Sequence, residues 1–217
     1  MDIEQTRFNM VEQQIRPWDV LNQNVLDLLF KVRREDFVPE AHRALAFVDM
    51  EIPLGHGQAM WTPKLEARVI QELDIHPTDR VLEIGTGSGY LTALLASGAA
   101  EVVSVDIVPE FTTAATQKLR AHGFSNVVLH SGDAARDWPD EAGFDVIVLT
   151  GSTPLLSDAL VRRLKVGGRL FAITGEAPVM EAQLITCTAP GTTRSVTLFE
   201  TCVAPLLNAL QPAAFVF

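Results

Sequence analysis

The stretch Val81-Leu-Glu-Ile-Gly-Thr-Gly-Ser-Gly89 constrains this chain more than any other. An apolar run ends in an acidic turn with glycine at alternate positions, Gly85, Gly87 and Gly89. Glycine lets the backbone adopt conformations closed to other residues and pass close to a ligand where a Cβ would collide. A helical pattern, Tyr90-Leu-Thr-Ala-Leu-Leu-Ala96, follows at once. Strand, glycine turn and helix together place a small ligand at a helix N-terminus on the carboxyl edge of a parallel sheet.

Spacing narrows the ligand. The dinucleotide fingerprint G-x-G-x-x-G needs a small third residue, and that position is Tyr90. The pattern is instead Glu-x-Gly-x-Gly-x-Gly, starting at Glu83, which resembles the nucleotide loop of S-adenosylmethionine-dependent methyltransferases. Two further strand ends carry suitable polar residues. Asp106, followed by Ile107, closes Val102-Val-Ser-Val105, where a carboxylate accepts hydrogen bonds from ribose hydroxyls. Asp133 and Ala134 follow Asn126-Val-Val-Leu-His130, where the resemblance implies an acidic group near the adenine amino group. The resemblance also implies that Glu83, Gly85, Thr86, Gly87, Ser88 and Gly89 hold the methionine end of the cofactor, S-adenosyl-L-methionine. Each feature has a plainer reading: a tight turn for the glycines, a helix cap before Pro109 for Asp106, a turn cap for Asp133. Their coincidence favours binding.

The chain has 217 residues and a formal net charge of −10, which argues against a phosphate-backbone partner. Arg33-Arg34 and the group Arg162, Arg163, Lys165 read as solvated helix faces. The start lacks a basic, then apolar, leader, and no apolar run approaches the ~18 residues that cross a bilayer. Cys187 and Cys202 read as buried small hydrophobes. The expectation is a cytoplasmic protein with no nucleic-acid, membrane or metal partner.

Residues 1–62 differ from the rest. Thr6 to Ile15 and Asn22 to Val32 carry apolar residues at helical spacing, with Pro17 halting the first helix. Phe37-Val-Pro39 and Glu51-Ile-Pro-Leu-Gly-His-Gly57 read as irregular connections, so this region is expected to be a helical cap. From 63 to 217 strands and helices alternate. A helix starts at Pro63 with Thr62 as N-cap. Strands are expected at Arg80–Ile84, Glu101–Asp106, Asn126–His130, Phe144–Thr150 and Arg169–Thr174, with helices at Pro109–His122 and Leu155–Leu164. Lys165-Val-Gly-Gly168 reads as a helix C-cap. Gln183–Thr188 and Ser195–Val203 read as a terminal antiparallel hairpin. The fold class is therefore α/β, Rossmann-like: a mostly parallel sheet with helices on both faces and an N-terminal cap.

Several segments outside the glycine loop are similar to protein-L-isoaspartate O-methyltransferases. They are Met10-Val-Glu-Gln-Gln-Ile-Arg-Pro17, Arg34-Glu-Asp-Phe-Val-Pro39 and Ile52-Pro-Leu-Gly-His-Gly-Gln58, followed in order by Gly132-Asp133, Trp138-Pro139 and Phe144-Asp145. The resemblance implies methyl transfer to the isoaspartyl carboxylate of damaged proteins, as the first step of repair. The family's G-x-G-x-T-I-S-x-P loop is here Gly55-His-Gly-Gln-Ala-Met-Trp-Thr-Pro63. Ala59 replaces the threonine and Trp61 the serine, so two hydroxyls at the donor–acceptor junction are missing. Cys202-Val-Ala-Pro-Leu206 stands where the family begins with arginine. His56, Gln58, Ala59, Met60, Trp61 and Thr150 are expected to face the acceptor, which is a protein or peptide carboxylate or, alternatively, a small molecule. The third alternative is a cofactor-binding module without turnover. Oligomeric state and the role of Phe215-Val-Phe217 stay open.

Overall fold

The computed structural model describes residues 2–213; the apolar end, Phe215–Phe217, lies outside them. The N-terminal region opens with α1 (Ile3–Met10), whose N-cap Asp2 accepts from the Glu4 and Gln5 amides. A π-type turn (Val11–Ile15) and a 3-10 turn (Arg16–Trp18) follow. Pro17 therefore lies within a helical run that ends at left-handed Asp19 (φ 59°), one turn later than expected. Next comes α2 (Gln23–Lys31).

Residues 51–57 differ from the irregular connection expected. β1 (Ile52–Gly55) and β2 (Gln58–Met60) form an antiparallel hairpin with Ile52 opposite Met60. Its two-residue turn, His56-Gly57, has φ of 53° and 72°. Positive φ at both turn residues matches the twist of paired strands, so Gly-His-Gly is a hairpin signal. α3 (Pro63–Leu73) then starts as expected, with the Thr62 hydroxyl accepting from the Leu65 amide and proline at the first turn.

Next come β3 (Arg80–Ile84), α4 (Tyr90–Ala96), β4 (Glu101–Asp106), α5 (Pro109–Ala121), β5 (Val127–Ser131), β6 (Phe144–Thr153), α6 (Asp158–Val161), β7 (Leu164–Glu176), β8 (Val179–Ala189) and β9 (Thr192–Thr201). The large sheet runs β5-β4-β3-β6-β7-β8-β9, parallel from β5 through β7 and antiparallel from β7 to β9. Strand order reverses between β3 and β6, which opens a crevice at their carboxyl ends.

Period-two alternation divides the core. Val81, Val102, Val146 and Phe171 face one way, into a cluster shared with α3, α4, α5 and the N-terminal residues Met10, Leu26 and Phe37. Leu82, Val103, Ile147 and Leu170 face the other way, against Leu160 of α6, Ala134, Trp138 and Leu206. Helical cover on that second face is thin, because the expected helix over 155–164 shrinks to α6, capped by Ser157. Lys165–Gly168 is no helix C-cap but the bulged start of β7, lying between the Phe144–Leu164 and Val146–Arg169 pairs. A Cβ on Gly168 would meet the carbonyl oxygens of Asp145 and Lys165 at 2.9 Å, so close backbone approach explains that glycine.

Two side-chain expectations fail. Cys187 is buried but Cys202 is exposed, and both are free. Arg34, expected on a solvated face, is 1% exposed.

Candidate active site

The glycine turn leaves β3 at the crevice, and all three glycines have positive φ: 101° at Gly85, 50° at Gly87 and 83° at Gly89. Their neighbours revise the ligand-approach reading. A Cβ on Gly85 would sit 2.0 Å from the Thr150 hydroxyl, and one on Gly89 would sit 3.0 Å from the Ala115 Cβ. Protein packing already excludes side chains at both places. Thr150 shares its hydroxyl proton between the carbonyls of Ile84 (2.9 Å) and Gly85 (2.8 Å), tying the turn to β6.

Beneath the turn, Glu83 pairs across the sheet with Ser104, and both point toward α4. One carboxylate oxygen accepts from Thr92 (2.5 Å) and Ser104 (2.6 Å), while Oε1 has no partner. Thr86 joins through the Ser104 hydroxyl at 2.6 Å. Burial pushes Glu83 up to about 8 against the pull of its hydroxyl donors, and nearby Asp106 adds to the rise. Glu83 lines neither cavity of the site and acts from behind the turn.

A larger cavity lies on the β4 side of the turn, lined by Gly85, Gly87, Asp106, Ile107, Phe111, Asp133, Ala134 and Leu207 among others. Asp106 accepts from the amides of Gly87 and Val108, both at 2.9 Å. Burial raises its pKa, opposed by these backbone bonds. Asp133 accepts from the Ala135 amide at 3.0 Å and from the Asn208 side chain at 2.9 Å. The turn-capping role considered for Asp133 is thus real, whereas Asp106 does not cap α5, whose N-cap is Val108 without a side-chain bond; it ties the glycine turn to the loop before the helix. Each carboxylate is held by these bonds with oxygen lone pairs to spare.

A smaller cavity adjoins, lined by Met60, Trp61, Glu66, Thr86, Ser88 and Leu91, with Leu54, Ala59, Gly85, Gly87 and Thr150 as walls common to both. Gln58 lines the larger one. Trp61 has two roles: it forms part of the wall, yet is only 6% exposed and packs edge-on against Phe171 at 6.5 Å. His56 lines neither cavity; it is exposed at the hairpin turn, edge-on to Phe111 at 5.5 Å.

Sequence reasoning missed three parts. Residues 203–209 form a strap beside β6, with the Ser152 amide donating to Ala204 (3.0 Å) and the Leu206 amide to Ser152 (2.9 Å). The strap brings Leu206 and Leu207 to the larger cavity. Its one local signal is Gly151, where a Cβ would meet the Leu206 nitrogen at 3.0 Å. Phe111, in the first turn of α5, supplies an apolar wall. Arg34 lines no cavity but donates to the carbonyls of Ala46 (3.0 Å) and Trp61 (2.6 Å) and pairs with buried Glu66. Burial lowers Arg34 to about 10, so it stays charged at neutral pH.

No lysine or arginine lines either cavity. Among the described residues no group of three or more His, Cys, Asp or Glu is placed to hold a metal, and no helix is long and apolar enough to cross a membrane. In the larger cavity, apolar walls with the two carboxylates of Asp106 and Asp133 suit a neutral or cationic ligand that offers hydroxyl or amino donors.

Residues 5–206 match the family model described as Protein-L-isoaspartate(D-aspartate) O-methyltransferase (PCMT). A protein-L-isoaspartate O-methyltransferase of Gloeobacter violaceus is 39% identical over 182 residues, covering 84% of this chain and 89% of its own. One from Methanoculleus marisnigri is 36% identical over 202 residues, covering 93% and 91%. Among solved structures, a Plasmodium falciparum protein described as a putative protein-L-isoaspartate O-methyltransferase in complex with S-adenosyl-L-homocysteine superposes with a TM-score of 0.76. It is 20% identical and covers 91% of this chain and 96% of its own, a likeness of fold.

Proposed function

Because the chain belongs to the protein-L-isoaspartate(D-aspartate) O-methyltransferase family, we propose that it transfers a methyl group from S-adenosyl-L-methionine to the isoaspartyl carboxylate of proteins or peptides in the cytoplasm. The observation that carries this reading is the juxtaposition of the two cavities across Gly85, Gly87 and Thr150, with the 58–61 hairpin edge closing the acceptor side.

The residues fit the cofactor. Asp106, held by Gly87 and Val108, is left with lone pairs for ribose hydroxyls, and Asp133 with one for the adenine amino group. Ile107, Ala134, Phe111 and Leu207 supply apolar surface for the base. The Ser88 hydroxyl accepts from the Tyr90 amide at 3.3 Å, so its own hydrogen is free for the methionine carboxylate. When bound, the cofactor supplies a methyl group on a positively charged sulfur, which an ionised carboxylate attacks without a base. The chain's part is therefore alignment and exclusion of water, and no general base is required. Residues 1–62 act as a cap that carries the acceptor loop.

Calorimetry with S-adenosyl-L-homocysteine, followed by methyl transfer to an isoaspartyl peptide and to its aspartyl isomer, tests this. Labelling of the isoaspartyl form alone is expected, and tight cofactor binding without that labelling rejects the acceptor assignment. Ala59 and Trp61 leave the acceptor wall without the family's hydroxyls, which favours a second reading, a different carboxylate or a small-molecule acceptor. Labelling of a lysate but not of the isoaspartyl peptide supports it.

A further inference from the structure

Arg34 is buried at 1% exposure and uses its planar fork on separate pieces of chain. Nε donates to Ala46 in the cap, one terminal nitrogen to Trp61 at the end of the acceptor loop, and the other to Glu66 on α3. Its Cζ lies 5.2 Å from the centre of the Tyr90 ring on α4. Burying an ion pair is a poor route to stability, because apolar residues of similar volume do as well or better. A rigid fork with donors at fixed angles serves to hold carbonyls in place. The carbonyl held at 2.6 Å belongs to Trp61, and residues 59–61 form the acceptor-side wall. Glu66 lines the same small cavity, so the pair also neutralises a carboxylate that would repel an incoming one.

We propose that Arg34 is a positioning residue for the methyl acceptor, holding the Trp61 carbonyl so that residues 59–61 keep their place and masking the charge of Glu66; this rests on the reading above. The side chain touches neither cofactor nor acceptor. Its loss acts on acceptor recognition, because the carboxylates proposed for the cofactor's ribose and base, Asp106 and Asp133, are held by Gly87, Val108, Ala135 and Asn208, none of which Arg34 touches.

The test uses the full chain and the variant Arg34→Met/Glu66→Met, which removes both charges and so avoids an orphaned buried carboxylate. The expected result is a Kd for S-adenosyl-L-homocysteine within about twofold of the native value, and a KM for the isoaspartyl peptide raised about tenfold with kcat little changed, on the scale of one lost hydrogen bond. Amide exchange at residues 58–62 should speed up while α4 and the sheet keep their protection. Arg34→Lys, with one compact donor in place of a fork, should give an intermediate KM. Unchanged KM and unchanged exchange at 58–62 would overturn the inference, and so would parallel loss of cofactor binding, which marks a general structural role. If the native protein labels no isoaspartyl peptide, the acceptor assignment falls on that ground alone. Exchange at 58–62 together with cofactor affinity then still decides the role of Arg34.

Discussion

Replacing Gly85 with alanine tests the account of the glycine turn most directly. The new Cβ would stand 2.0 Å from the Thr150 hydroxyl on a backbone at φ 101°. Holding an L-residue in that conformation costs about 1–2 kcal/mol. Expelling the hydroxyl from the single proton it shares between the Ile84 and Gly85 carbonyls removes one bifurcated hydrogen bond of about 0.5–1.5 kcal/mol. The sum is about 1.5–3.5 kcal/mol. For a chain of this size it corresponds to a fall in Tm on the order of 3–14 °C. The decisive assay is a double-mutant cycle by chemical denaturation. Thr150→Ala alone loses the bifurcated bond. In Gly85→Ala/Thr150→Ala the displaced group no longer exists, so the combined loss should fall short of the sum of the singles by about 0.5–1.5 kcal/mol. If the two losses simply add, the hydroxyl is not what excludes a side chain at position 85, and the reasoning is refuted.

Three more predictions follow from the site. Asp106→Ala frees the Gly87 and Val108 amides and removes a charged acceptor, so S-adenosyl-L-homocysteine should bind about 10- to 150-fold more weakly by calorimetry, from a charged-group loss of about 1.5–3 kcal/mol. Glu83, raised to about 8 by burial, binds its proton more tightly folded than unfolded, so its protonated form favours the native state and stability declines as pH rises from about 4.5 toward 8. Tm scans from pH 5 to 9 should therefore fall more steeply for the native protein than for Glu83→Gln, and parallel curves would discount the buried carboxyl. Ala59 is half-buried at the cavity wall, so Ala59→Thr should fold normally and raise kcat/KM on an isoaspartyl peptide, whereas Trp61→Ser should cost about 3–5 kcal/mol by emptying a packed site against Phe171. An Ala59→Thr protein with unchanged kcat/KM would show that the missing hydroxyl is not what sets the acceptor.

Local pattern determined a good deal of this protein. The near-continuous apolar runs Val81–Ile84 and Val102–Val105, interrupted by the paired Glu83 and Ser104, are a property of the strands themselves, because a parallel strand inside the sheet buries both faces. Thr62-Pro63 marks the start of α3 because a cap and a first-turn proline act within one turn of chain. The acidic residues at strand ends and the Gly-x-Gly-x-Gly turn are similarly short-range signals.

What lay beyond reach was whatever depends on partners distant in sequence. The Leu155–Leu164 pattern looks helical, yet Ser157 caps the helix on one side and pairing of Leu164 with Phe144 starts β7 on the other, leaving α6 with four residues. Arg34 looks like a surface charge until Glu66, 32 residues on, and the Trp61 carbonyl, 27 residues on, close around it. Only the folded chain shows that Gly85 yields to Thr150, or that the strap at 203–209 walls the cavity. A sequence records the preferences of neighbouring residues; which groups meet across the crevice is decided when the sheet closes and long-range contacts outweigh local ones.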